Sequence, residues 1–313
     1  MVNSIIIGQG TLPVQCANIF AKSAVVSAVC SPDSPLREWA NTARVPHFST
    51  LTTFAAFAEA EPFDYLFSIV NYKVLPQTLL RLPRRMAINY HDGPLPRYGG
   101  VYATTWALMA GETTHGITWH VMTDHIDAGD IVKQVTFLIA PQDTAYKLNL
   151  KCYYTAIDAF RTMLPDLISG RVRPEKQDLS QRSYFGYSRR PANDCLLSFA
   201  WPAIQIDAFC RALDFENARN PIGTPKVIIG GRLLVCRRIE LTNVTSSQAP
   251  GTVIESTPML QVATSTEDIV IPALETIRGR QVSLEELMDY GLQTGLCIHA
   301  PDLSLVTHPD EPG

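Results

Sequence analysis

Three short apolar runs constrain the fold of this 313-residue chain more than any other feature. Ser4–Gly8 (SIIIG), Ala24–Cys30 (AVVSAVC) and Tyr65–Val70 (YLFSIV) are rich in β-branched residues and end in turn residues, the pattern of strands buried on both faces. Helical patterns over Leu12–Ser23, Leu36–Asn41 and Leu51–Glu59 alternate with them. The spacing therefore predicts an α/β fold with a doubly wound, mostly parallel, Rossmann-like sheet. Gly8-Gln9-Gly10 follows the first run. A dinucleotide fingerprint needs a third glycine three residues on, and the chain has Pro13 there. The turn is read as a plain strand-to-helix connection, and Asp33 as part of a solvated Pro-rich loop.

The most informative stretch runs from Ala87 to Gln134. Asn89 and His91 stand two residues apart in a predicted strand, so their side chains share a face. Asp127 follows a second predicted strand, Gly116–Met122, in which Ile117, Trp119 and Val121 form one face and Thr118, His120 and Met122 the other. An amide, an imidazole and a carboxylate at the ends of neighbouring strands form a candidate catalytic group. His120, His125 and Asp127 are legal metal ligands, but they lack the i, i+4 helical spacing of a zinc motif, and no metal is assigned. His115 is read as a solvated loop residue. Thr144–Ile168 reads as a long amphipathic helix, apolar at Leu148, Tyr153, Ile157, Phe160 and Leu164 and ended by Gly170.

Arg173–Asn193 is a polar connection, and the domain boundary is placed in it. The catalytic domain is expected over 1–181. A second domain over 194–296 carries a helix after Pro202 and short strands with glycine turns, predicting a small OB-like β-barrel. Ser283 opens a capping box for a last short helix. Residues 300–313 read as a linker or disordered tail. Seven scattered cysteines with no C-x-x-C indicate reduced thiols and a cytoplasmic protein, and no run of ~18 apolar residues suggests a membrane span. The net charge of −4 argues against a nucleic-acid partner. Arg182–Glu240 nevertheless holds nine Lys/Arg against five Asp/Glu, either a solvated face or a dock for a phosphate-bearing acceptor.

Asn-x-His at Asn89 and His91, the Leu95-Pro96 loop ending in glycine, and Asp127-Ala-Gly-Asp130 together resemble the formyltransferases that use 10-formyltetrahydrofolate. Arg-Arg-Pro at 189–191, Phe-x-Trp at 199–201 and Asn-Pro-Ile-Gly at 220–223 resemble the second domain of the two-domain members that act on tRNA or sugars. The resemblance implies an N-formyltransferase with 10-formyltetrahydrofolate as cosubstrate and Asn89, His91 and Asp127 as catalytic residues. It implies a folate slot lined by Lys73, Val74 and Leu75 and by Asp124, His125, Ile126 and Asp127, with Gly93, Pro94 and Arg97 facing the acceptor. Asn89 and His91 are expected to donate N–H groups to the developing oxyanion, with Asp127 relaying a proton. Where the family has Ser-Leu-Leu-Pro this chain has Gly93-Pro94-Leu95-Pro96, and a frequent second arginine is Gly99. The loop from His91 to Trp106 is most similar to formylation domains of nonribosomal peptide synthetases. The expected acceptor is thus a free or carrier-bound amino acid, with further synthetase domains as partners. A nucleotide-linked amino sugar and methionyl-tRNA are the alternatives, and a Rossmann-type dehydrogenase is the competing class.

Overall fold

The computed structural model describes residues 1–216, 218 and 220–298; the tail expected over 300–313 lies outside the described residues. The chain divides into two compact units, one of Met1–Thr104, Thr113–Ile139 and Lys147–Tyr187, the other of Thr105–Glu112, Ala140–Tyr146 and the chain from Ser188 onward.

In the first unit β1 (Asn3–Gly8), α1 (Leu12–Phe20), β2 (Val25–Cys30), α2 (Ser34–Ala43), β3 (His47–Phe48), α3 (Leu51–Ala60), β4 (Tyr65–Ile69), α4 (Gln77–Leu80) and β5 (Met86–His91) alternate as the sequence predicts, except for the two-residue β3, which it does not mark. They are followed by β6 (Gly99–Gly100), α5 (Ala103–Met109, assigned mostly to the second unit), β7 (Thr114–Val121), β8 (Ile131–Leu138), α6 (Ala145–Ser169, in the first unit from Lys147) and β9 (Tyr184–Phe185). The main sheet has the order β3-β2-β1-β4-β5-β7-β8. β1 to β5 pair in parallel, whereas β7 and β8 are antiparallel.

Both faces of the sheet are covered at β1 and β4, which is why these strands are nearly apolar throughout rather than alternating. Ile6 packs with Phe20, Phe67, Trp119 and Phe160 on one face. Ile5 and Ile7 pack with Phe54, Leu66, Leu75 and Ala87 on the other. Burying one such aliphatic side chain contributes about 1.5–3 kcal/mol. On α6, Leu148, Phe160 and Leu164 are buried, and Gly170 adopts φ +72° just past its end.

The second unit contains α7 (Ala203–Ala212), β10 (Lys226–Ile229), β11 (Arg232–Val235), β12 (Glu240–Leu241), β13 (Val253–Glu255), β14 (Leu260–Val262), β15 (Ile269–Ile271), β16 (Leu274–Thr276), β17 (Gln281–Val282) and α8 (Leu284–Asp289). Its strands are antiparallel, in two four-stranded sheets ordered β10-β11-β16-β17 and β12-β15-β14-β13. The stretch Arg232–Glu240, which reads as one strand, is split between the two sheets. Ser283 caps α8 by accepting the Glu286 N–H at 3.1 Å. Glu286 does not complete the box, because its carboxylate pairs with Arg280 at 2.8 Å. Among the described residues no helix is long and apolar enough to cross a membrane.

Candidate active site

β5 delivers Asn89 and His91 to one face of the sheet, and β7 lies antiparallel beside it with Asn89 opposite His120 and His91 opposite Thr118. This direction of β7 corrects the picture of strand ends meeting. β7 ends beside Ile88, and Met122 N–H bonds Ala87 O at 2.8 Å. The following loop must therefore fold back to bring Asp127 to His91. It does so with Asp127 at φ +54°, a conformation uncommon outside glycine.

The result is a cluster of four side chains, with His91, His120 and Asp127 buried and Asn89 half-buried. Asp127 Oδ2 lies 3.7 Å from His91 Nδ1, and Oδ1 lies 3.3 Å from His120 Nε2. Asn89 Nδ2 approaches the same His120 Nε2 at 3.2 Å. His91 is 5% exposed and Asp127 8%. Gly100 N–H donates to Asp127 Oδ2 at 2.8 Å. Burial on its own drives the Asp127 carboxyl up, but the charge of His91 and the hydrogen bond and charge of His120 when those rings are protonated, with the Gly100 N–H, outweigh it and hold the group well below the usual carboxylate range. Gly100 has φ +97°, and a Cβ there would stand 2.1 Å from Phe185 O, so only glycine brings that N–H to Asp127.

Hydrogen bonds fix the ring tautomers. His91 Nε2 faces the Tyr98 carbonyl at 2.8 Å, an acceptor only, so Nε2 carries the hydrogen and the neutral ring presents a lone pair at Nδ1. His120 Nδ1 faces Val121 O at 3.0 Å and is a donor in the same way; the neutral ring then accepts at Nε2 from Asn89, whereas the protonated ring donates there to Asp127 Oδ1. The oxyanion role expected of His91 needs correction accordingly, and that of Asn89 requires it to give up a bond. The His91 N–H is engaged with Tyr98, and both amide hydrogens of Asn89 are engaged, one with His120 and one with Tyr90 O at 3.0 Å. The free nitrogen of His91 is a proton acceptor beside a carboxylate.

The loop after β5 is built to hold the His91 ring. A Cβ on Gly93 would lie 2.8 Å from His91 Nε2 and 3.1 Å from Ala103 Cβ. Gly93 is thus buried behind the ring and is corrected from an acceptor contact to a seat for the histidine. Thr118 Oγ1 donates to Gly93 O at 2.7 Å and accepts Leu95 N–H at 3.1 Å, while Gln134 Nε2 donates to Leu95 O at 2.7 Å. Pro94 is half-buried, and exposed Arg97 lies over the Tyr98 ring at 5.1 Å. His115 is not a solvated loop residue. It is 1% exposed on β7, with Nε2 on Asp92 O at 2.8 Å.

Lys73, Val74 and Leu75 follow β4 in a loop turned by Asn71, whose side chain accepts Lys73 N–H at 3.2 Å and donates to Lys73 O at 2.9 Å. Leu75 is buried, but Val74 is 75% exposed. Asp124, His125 and Ile126 are exposed in the β7–β8 loop, Ile126 at 45%. Val74 and Ile126 are exposed apolar side chains on two loops of this unit. Asp33 corrects another expectation: it accepts Gly10 N–H at 2.5 Å and the Ser31 hydroxyl at 2.6 Å. A carboxylate on that N–H opposes the anion binding a dinucleotide site requires. Among the described residues no group of three His, Cys, Asp or Glu is placed to hold a metal ion.

His120, Thr118 and Gln134 are the site residues that motif spacing missed. The signal for His120 was its place on the Thr118 face of β7, opposite Asn89 once the strands pair antiparallel.

Residues 51–161 match the family model described as formyl transferase, and residues 191–290 that of the formyl transferase C-terminal domain. Solved structures share the fold. An N-formyltransferase from Helicobacter canadensis, in complex with folinic acid and dTDP-3-aminofucose, is 20% identical, with 87% of this chain and 99% of that chain covered and a TM-score of 0.68. WlaRD, a sugar 3N-formyl transferase solved with dTDP and 5-N-formyl-THF, is 20% identical, with coverage of 87% and 97% and a TM-score of 0.69. HypX from Aquifex aeolicus, in complex with tetrahydrofolic acid, is 15% identical, with 92% of this chain but 47% of that chain covered and a TM-score of 0.59.

Proposed function

We propose that this chain, which belongs to the formyl transferase family, moves a formyl group from 10-formyltetrahydrofolate to the primary amine of a nucleotide-linked amino sugar. One observation carries the formyl transfer: His91 presents Nδ1 beside a buried Asp127, with His120 at the same carboxylate and Asn89 on the His120 ring. The acceptor class is supported by the two sugar formyltransferases, each aligned over nearly its full length. The loop from His91 to Trp106 favours an amino acid instead, free or carrier-bound, and that class forms the second arm of the test.

Acyl transfer to an amine requires an uncharged nucleophile, a place for negative charge on the formyl oxygen and a proton for the leaving nitrogen. As the new C–N bond forms, His91 Nδ1 takes a proton from the attacking nitrogen, and Asp127 stabilises the charged ring. The proton then passes to N10 as the C–N10 bond breaks, leaving a formamide and tetrahydrofolate. Asn89 Nδ2 is the donor for the formyl oxygen, exchanging its bond to the Tyr90 carbonyl for one to substrate. A donor of this kind contributes about 3–4 kcal/mol. His120 keeps the Asn89 amide oriented and neighbours Asp127 Oδ1. Val74, Leu75 and Ile126 are assigned to the pterin walls, and the main chain of 73–75 and 124–126 to its polar edge.

The test is incubation with 10-formyltetrahydrofolate and a panel of nucleotide-linked amino sugars, free amino acids and carrier-bound amino acids, read as a mass gain of one formyl group. Gain confined to amino sugars supports the full proposal. Gain confined to amino acids overturns the acceptor but not the chemistry, and no gain on any amine overturns both.

A further inference from the structure

Behind the Asp127 loop lies an amide that the chemistry above does not use. Gln177, in the connection after α6, directs Nε2 at two backbone carbonyls, Asp127 O at 3.0 Å and Gly129 O at 2.6 Å. Both partners only accept, so the amide orientation is fixed; its oxygen in that place would face two carbonyl oxygens. At the other end Oε1 is buried without a hydrogen-bond partner. Leaving an acceptor unpaired is unfavourable. A glutamine kept for packing alone is ordinarily satisfied at both ends or replaced by an apolar side chain. The backbone it holds is the left-handed turn at Asp127, φ +54°, a conformation that persists where surroundings impose it.

The same connection reaches the other arm of the site. Ser183 Oγ accepts Tyr98 N–H at 2.8 Å, and the Tyr98 carbonyl is the group that fixes the His91 ring. Ser183 O accepts Gly99 N–H at 2.9 Å, and Arg182 Nη2 donates to Ile126 O at 3.1 Å. One short segment thus ties the backbone on both sides of the gap between His91 and Asp127.

We propose that Gln177 is a positioning residue for the Asp127 carboxylate, clamping the main chain at Asp127 and Gly129 so that the two carboxylate oxygens meet His91, His120 and the Gly100 N–H together. It touches no reacting atom and acts through Asp127, so the assignment rests on the proposed role of that residue. The titratable groups facing the carboxylate are His91 from β5 and His120 from β7.

The experiment compares Gln177→Met and Gln177→Glu with wild type in the full chain. Met removes both donors at equal length. Glu removes them when ionised and regains one O–H when protonated. Steady-state rates, melting temperature and the carboxyl titration of 13C-labelled Asp127 by NMR are read together. Gln177→Met is expected to lower kcat about tenfold or more with both KM values within about threefold, as a small misplacement does. The Asp127 titration should move up toward the ordinary aspartate range. Gln177→Glu should recover rate, relative to Gln177→Met, as pH falls. Unchanged kcat with an unmoved Asp127 titration overturns the proposal, as does a lower melting temperature with that titration unmoved. Should Gln177→Met not fold, Gln177→Glu at neutral pH carries the same two outcomes. The NMR reading needs no turnover, so wild-type protein inactive on every amine would sink the proposed function while leaving Gln177 decided separately.

Discussion

Asp33 and Asp127 belong to the same unit, and each accepts a glycine N–H, from Gly10 at 2.5 Å and from Gly100 at 2.8 Å. Their surroundings differ. Asp33 otherwise accepts the Ser31 hydroxyl and lies next to the start of α2, so it closes a strand-to-helix turn. Asp127 is buried against two imidazoles, whose protonated forms hold it ionised despite the burial. A carboxylate on a backbone N–H is therefore a structural device by default. It becomes chemistry when buried proton acceptors are set against it.

The largest expected effect follows from that contrast. Asp127→Asn should lower kcat by about 10²–10⁴, the usual contribution of acid–base transfer, while Asp33→Asn should stay within about twofold of wild type. Equal losses in both would break the distinction. A pair of glycines sharpens it further. Gly93→Ala places a methyl against the His91 ring and should lower kcat about ten- to hundredfold through misplacement. Gly10→Ala meets no atom within 4 Å but keeps φ +74°; it should cost about 1–2 kcal/mol of stability and leave kcat alone. Steady-state kinetics with thermal melts reads both.

Much of this was legible beforehand. The period-2 spacing of Asn89 and His91 put both on one face, and β-branched runs such as Ile5-Ile6-Ile7 announced a sheet covered on both sides. The rest depended on long-range register. His120 meets Asn89 only because β7 runs antiparallel to β5, and Gln177 reaches Asp127 from fifty residues away, |i−j| = 50. Its segment has no periodicity to mark it. His115 and Asp33 read as solvated because polar residues usually are; their partners, Asp92 O and Gly10 N–H, come from other turns.

Smaller effects concern stability. The Asp127 carboxyl is held below its unfolded value of about 3.9, so its stabilisation is fully present above that pH and is lost as pH falls toward the folded value. The stability difference between wild type and Asp127→Asn should shrink as pH falls below about 4; denaturant titrations across pH check it, and a difference that grows there contradicts it. Asp33→Asn should cost about 1 kcal/mol or less, since its bonds are partly solvated.

The most direct test is a single-turnover measurement with an accepted amine and 10-formyltetrahydrofolate, on wild type and Asp127→Asn, with folate-analogue binding measured by calorimetry in parallel. Similar binding in both proteins, with transfer at least about a hundredfold slower in the variant, is the expected result. Transfer at the wild-type rate in Asp127→Asn, or a wild-type protein that binds no folate analogue, would contradict it.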